Sequence, residues 1–197
     1  MPNASMQSVL LPLLVLAASG CKNSPAPPAP GEARGALPDL RSRTVMVLPV
    51  QLKRAVPQGI LADSELAHAL RARGEGVSWI FPPELEEVLE RSPGVPAQIT
   101  GLPVQFFLQT QVNRVGDPLF GHLYRLAGLT GADVALIPVE LRFDEDGSYI
   151  LAVALVAPRN GRVAWYGVME GEPGDADDPA TLASLAESMA RALLPFG

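Results

Sequence analysis

Residues 134–170 read VALIPVELRFDEDGSYILAVALVAPRNGRVAWYGVME. Ala135, Ile137, Val139, Leu141 and Phe143 alternate with other residues, the period-two pattern of a strand with one face inward. Asp144-Glu145-Asp146-Gly147 breaks the run as a turn. Tyr149, Leu151, Val153, Leu155 and Ala157 then alternate along a second strand. Pro158-Arg159-Asn160-Gly161 is a second turn, Asn-Gly being suited to the positive φ of a tight hairpin. Val163, Trp165, Gly167 and Met169 alternate along a third. The stretch therefore predicts an antiparallel meander. Its first two strands are partly apolar on both faces, through Val134, Leu136, Ile150 and Val156. Helices should cover one face and another element the other.

Working toward the amino terminus, Gly131 stops a helix that begins at Asp117-Pro118 and carries Leu119, Leu123 and Leu126 at helical spacing. Residues 93–116 have no readable period. Within them Gly101-Leu102-Pro103-Val104-Gln105-Phe106-Phe107-Leu108 fits a strand, a short helix or a packed loop. Upstream, Pro82-Pro83 opens a helix from Glu84 to Arg91, and Val77 to Phe81 is a strand. Asp63 is placed to cap a helix from Ser64 to Arg73. Val45-Met46-Val47-Leu48-Pro49-Val50 is a short buried strand. Beyond the meander, Asp178-Pro179 caps a last helix with a Leu182, Leu185, Met189 and Leu193 stripe. The fold class expected is α/β (α+β): one domain, a mixed sheet ending in a three-stranded antiparallel meander, and helices packed on it.

The chain opens differently. Val9 to Ala18 is a ten-residue apolar run followed by Ser19, Gly20 and Cys21. Signal-peptide cores run to about 7–15 apolar residues, whereas a membrane-spanning helix needs about 20. Ala18-Ser19-Gly20-Cys21 reads as a bacterial lipobox, with Cys21, the single thiol of the chain, as the site of lipidation. The plainer alternative is an ordinary signal peptide with an incidental cysteine. Met1 to Ser8 holds no Lys or Arg, and Ala18 stands where lipoproteins more often have Leu. An acylated Cys21 leaves no thiol for a disulfide, so the core alone must hold the fold. Lys22 to Asp39, with Pro25, Pro27, Pro28, Pro30 and Pro38, reads as an extended tether reaching up to roughly 50 Å. The organisation expected is a signal peptide over 1–21, a Pro/Ala-rich tether over 22–43, and a globular envelope domain over 44–197.

Charge is uneven. Residues 22–131 hold 11 basic and 10 acidic groups, and residues 132–197 hold 4 and 11. An acidic chain is a poor nucleic-acid binder, and its acidic end suits a basic partner. Glu170, Glu172, Asp175, Asp177 and Asp178 cluster there, as a solvated loop or as a docking surface. Leu102, Val104, Phe106 and Phe107 read either as core or as a contact patch. The candidate contact residues are thus Glu172, Asp175, Asp177, Phe106 and Phe107. His68 and His122 have no Cys, His or carboxylate at metal-ligand spacing, so no metal or cofactor is expected. Asp144, Glu145 and Asp146 lack the distant Glu of a calcium loop. The scattered carboxylates Asp133, Glu140 and Asp144 show no spacing that sets a pair over one bond, and the chain is expected not to be an enzyme.

Several segments resemble one superfamily. Val45-Met46-Val47-Leu48-Pro49-Val50 and Glu84-Leu85-Glu86-Glu87-Val88-Leu89 look like parts of TolB amino-terminal-like envelope domains. Gly131-Ala132-Asp133-Val134-Ala135-Leu136 resembles their helix-to-strand junction, and Gly161-Arg162-Val163-Ala164-Trp165-Tyr166-Gly167 their hairpin with a tryptophan strand. The group includes the curli secretion lipoprotein and the lipoprotein activators of penicillin-binding proteins. The resemblance spans Thr44 to Leu194, matches no single subfamily, and departs over 93–116 and at Gln51-Leu52-Lys53-Arg54. It implies a non-enzymatic envelope lipoprotein that docks on another envelope protein as regulator or adaptor. The alternative is a self-assembling part of a secretion or envelope complex. The lipobox reading implies palmitate on Cys21, and Lys22 rather than Asp after it resembles the pattern of outer-membrane lipoproteins, which implies anchoring there with the domain in the periplasm. The partners expected are the membrane through the lipid, an envelope protein, and in the alternative further copies of this chain.

Overall fold

The meander forms the middle of the molecule in a computed structural model that describes residues 26, 28–57 and 60–195. In chain order the strands are β1 (Ala33–Gly35), β2 (Thr44–Val47), β3 (Leu52–Arg54), β4 (Ser78–Ile80), β5 (Val134–Phe143), β6 (Tyr149–Ala157) and β7 (Arg162–Glu170). The helices are α1 (Ala62–Arg73), α2 (Pro82–Glu90), α3 (Leu119–Thr130) and α4 (Pro179–Leu193). The sheet runs β1-β7-β6-β5-β2-β4, with β3 beside the far half of β5. β5, β6 and β7 pair antiparallel, and β1 adds antiparallel to β7. β2 lies parallel to both β4 and β5, and β3 parallel to β5. The sheet is therefore mixed, and both of its faces are covered.

One face packs on α1 and α4. Val45, Val47, Leu136, Leu151, Val153, Leu155, Trp165 and Met169 meet Leu66 and Leu70 of α1 and the full Leu182, Leu185, Met189 and Leu193 stripe of α4. An Arg73–Glu187 ion pair at 3.0 Å joins the two helices. The other face carries Met46, Leu48, Ile137, Val139, Ala152 and Ala154 against Leu85 of α2 and Leu119, Leu123 and Leu126 of α3. Residues 93–116 complete this second layer as packed loop with one 3-10 turn, Gln105–Leu108. Ile99, Leu102, Val104, Phe107 and Val115 are all buried there. At about 1.5–3 kcal/mol for each fully buried large apolar side chain, these layers supply the core that a chain without disulfides needs.

Several local expectations change. A register shift between Pro138 and Glu140 flips the strand's parity: Ile137 and Val139 face α3, while Leu141 faces the α1/α4 layer. A second shift opposite Leu155 and Val156 puts Val163 and Trp165 on different faces. A β-bulge does this because one extra residue reverses the in-out alternation after it. Asp63 does not cap α1, whose N-cap is Leu61 with no side-chain bond. Its Oδ1 instead accepts the Val50 N–H at 2.7 Å, tying α1 to the segment that follows β2. Leu52-Lys53-Arg54 forms β3. Asp178 does cap α4, accepting from Ala180 N–H at 2.9 Å.

The boundary read at 43/44 also moves. Ala33–Gly35 pairs with Trp165–Gly167, and Leu40 is 2% exposed in the core. The half of the supposed tether nearest the domain is thus part of the domain. Proline-rich composition argued for free chain, but Glu32 to Gly35 contains no proline, so its amides can join a sheet edge.

Candidate functional site

The two acidic segments that lie 23 residues apart in the sequence, ending at Gly147 and beginning at Glu170, meet at one end of the sheet. The hairpin geometry requires this. Ile150 near the start of β6 pairs with Glu170 at the end of β7, so the turn before β6 and the loop after β7 share an edge. Gly171 N–H donates to Tyr149 O at 2.9 Å, and Gly174 N–H donates to Gly147 O at 2.8 Å. The Tyr149 hydroxyl, on a fully buried ring, donates to Ala176 O at 2.5 Å. Glu172 N–H donates to Ser184 Oγ of α4 at 2.8 Å, and Ser148 Oγ donates to Glu170 Oε1 at 2.9 Å. A Cβ on Gly174 would stand 2.3 Å from Thr181 Oγ1, so glycine is what lets this loop lie against α4.

On this frame Glu145, Asp146, Glu172, Asp175 and Asp177 are exposed. Asp144 is held by Arg142 at 2.9 Å, and Asp178 is occupied as a helix cap. Burial, and then the charge of Asp177, raise the Tyr149 phenol above its ordinary pKa. The result is a fixed concentration of negative charge with apolar support beneath it. Such an arrangement attracts and orients a basic surface.

The other sequence candidates are placed differently. Phe107 is 2% exposed and stacks on Tyr166 with centroids 5.7 Å apart, so it is a core residue and not a contact. Phe106 is half-buried, 4.6 Å from Phe107. The packed loop wins over the contact patch because Leu102 and Val104 are also buried. Cys21 lies outside the described residues. His68 is exposed on α1, and His122 Nδ1 accepts the Gln98 N–H at 3.2 Å. Among the described residues no group of three or more His, Cys, Asp or Glu side chains is placed to hold a metal ion.

The carboxylates Asp133, Glu140 and Asp144 are each engaged separately. Asp133 clamps the starts of β2 and β5: its Oδ2 accepts Thr44 N–H at 3.2 Å while its own N–H donates to Thr44 O. Glu140, 9% exposed, sits in the β5 bulge with Arg54 Nε 2.5 Å from Oε1, an ion pair without hydrogen-bond alignment. Burial, and then the Glu140 charge, push the Tyr166 phenol up to about 12. Sequence reasoning missed this pair because the two residues lie on non-adjacent strands. A groove of about 380 Å³ opens between the starts of α1 and α2, bordered by Leu61, Phe81 and Pro82, with Arg71 4.0 Å above the Phe81 ring. Among the described residues no helix is long and apolar enough to cross a membrane.

These features define an α/β domain in which a mixed sheet lies between two helical layers and an acidic platform forms at one end. Its chain course is similar to that of E. coli LpoB in solution, at 16% identity and TM-score 0.44, covering 86% of each chain. It is similar too to a lipoprotein of Neisseria meningitidis, at 16% identity and TM-score 0.43, covering 79% of this chain and 98% of that one. A third likeness is to a PelC dodecamer from Paraburkholderia phytofirmans, at 19% identity and TM-score 0.41, covering 83% of this chain and 96% of that one. Likenesses this distant carry no residue role across. No family model matches the chain, and no curated protein matches it.

Proposed function

We propose that this chain is a non-enzymatic cell-envelope lipoprotein, anchored through Cys21 in the outer membrane, whose periplasmic domain docks on another envelope protein. The signal peptide is cut before Cys21, and the acyl groups on that cysteine hold the domain at the membrane. The docking surface is the acidic platform of Glu145, Asp146, Glu172, Asp175 and Asp177, and its partner presents a basic surface. The observation that supports this most is the bonding of the two acidic segments to each other and to α4. With Ser148 Oγ to Glu170 Oε1 these make five hydrogen bonds, which fix the backbone while the carboxylates stay exposed. Docking through charge at this site weakens as salt shortens the Debye length.

Two variants test the reading. Cys21→Ser should leave the membrane fraction; retention there would break the anchoring. Glu172→Lys, Asp175→Lys and Asp177→Lys together should abolish capture of a heterologous partner in cell crosslinking. Unchanged capture would remove the platform from the interface. Self-crosslinked species alone would favour an assembly of copies of this chain.

A further inference from the structure

Residues 28–35 are built into the domain as a strap. Pro28 is buried in a niche beside Phe107, Thr110 and Tyr166. The chain then turns, with Glu32 N–H donating to Ala29 O at 3.0 Å and Ala29 N–H to Glu32 Oε2 at 3.1 Å. Gly31 N–H donates to Val168 O at 2.8 Å, and Val168 N–H to Glu32 O at 3.0 Å, before β1 continues along β7. Gly35, at φ 86°, lies so near β7 that a Cβ there would stand 2.3 Å from Ala164 O. Arg34 Nη1 donates to Gln111 Oε1 at 3.3 Å, fastening the strap to the loop that covers the sheet. Leu37 and Leu40 then enter the α1/α4 layer. The strap covers an edge that would otherwise expose unpaired backbone groups.

This changes the distance between domain and lipid. Six residues, Lys22 to Pro27, lie between Cys21 and Pro28, making seven Cα–Cα steps. Fully extended, they span at most about 25 Å, half of what a free tether would allow. We infer that the strap turns one side of the domain toward the lipid headgroup layer: the side where Pro28 emerges, formed by residues 105–114. The inference rests on the reading of Cys21 as the anchor. Charge fits the same side. No Asp or Glu occurs between Arg91 and Asp117 in a chain of net charge −6. The exposed groups there are Gln105, Gln109, Gln111, Asn113 and Arg114, amides and a guanidinium that a headgroup phosphate does not repel. Glu140, which lines a cavity together with Pro28, is buried against Arg54, and Glu32 is bonded to Ala29 N–H.

The test uses the full lipidated chain in vesicles of phosphatidylethanolamine and phosphatidylglycerol whose headgroups carry an energy-transfer acceptor. A fluorescent amino acid replaces either the exposed Gln109, whose neighbours Leu108 and Thr110 line the cavities that Pro28 borders, or Arg191, exposed on α4 in the opposite layer. The chain should float with the vesicles, and transfer from position 109 should exceed that from 191 several-fold. Flotation with equal transfer would overturn the orientation while leaving the anchor intact. Failure to float would overturn the anchor and the inference with it. A Gly/Ser insert between Lys22 and Asn23, which leaves the domain untouched, should preserve flotation and erase the asymmetry. Asymmetry that survives the insert would show that the strap does not set it.

Discussion

Replacing Tyr149 by Phe removes one hydroxyl and leaves the ring. The ring is fully buried and meets Phe143 edge-on with centroids 4.9 Å apart, so its packing is kept. What is lost is the 2.5 Å bond to Ala176 O, the tie that holds the middle of the acidic loop. Ala176 is half-buried, so water can reach the released carbonyl and the full desolvation penalty is avoided. The cost should therefore be about 1 kcal/mol, the net worth of a typical hydrogen bond. In a domain of this size that lowers Tm by about 2–4 °C. The assay is urea unfolding of the delipidated chain, with amide hydrogen exchange followed over residues 172–177. Exchange there should accelerate about fivefold, the factor that 1 kcal/mol sets at room temperature. Unchanged exchange in that loop, whatever the change in Tm, would refute the claim that Tyr149 fixes the platform.

Two further outcomes follow from ionisable groups. Tyr166 is pushed up to about 12 in the folded chain against 10.0 unfolded, so its stabilising contribution is complete below pH 10 and is lost as pH rises toward 12. By linkage the loss is on the order of 2–3 kcal/mol. Tyr166→Phe should flatten the alkaline limb of a stability–pH curve measured by denaturant titration, and an unchanged limb would contradict the assignment. His122 is held below its ordinary pKa, first by burial and then by Arg125, and its Nδ1 must stay unprotonated to accept from Gln98. Its contribution is present above about pH 6.5 and is lost as pH falls through the lowered folded value. His122→Asn should remove that part of the acid slope, read by Tm between neutral and mildly acidic buffers.

The hairpins were legible in the sequence because β6 alternates without interruption and Pro158-Arg159-Asn160-Gly161 marks a turn, a four-residue connection in which Gly161 alone takes a positive φ, 71°. The faces of Leu141 and Val163 were not, since each lies beyond a bulge that composition does not mark. The helices α3 and α4 could be read from leucine spacing and from Gly131 and Asp178 at their ends. Residues 93–116 could not, because Ile99, Val104, Phe107 and Val115 are buried by partners distant in the chain and follow no local period. The strap was hidden by its prolines, which favour extended free chain. Its docking depends on the β7 edge and on Gly35. The acidic residues were visible one by one. Their union at one end depends on the equal lengths of β6 and β7, nine residues each, which the alternation already contained.

The docking claim is tested most directly by a photo-crosslinking amino acid placed at Asp175 in the full-length chain, with the same group at the exposed Gly94 as the comparison. Irradiation in living cells should join position 175, and not 94, to one dominant envelope protein, and that product should fade as external salt rises. Equal yields from both positions, or products containing only this chain, would contradict it.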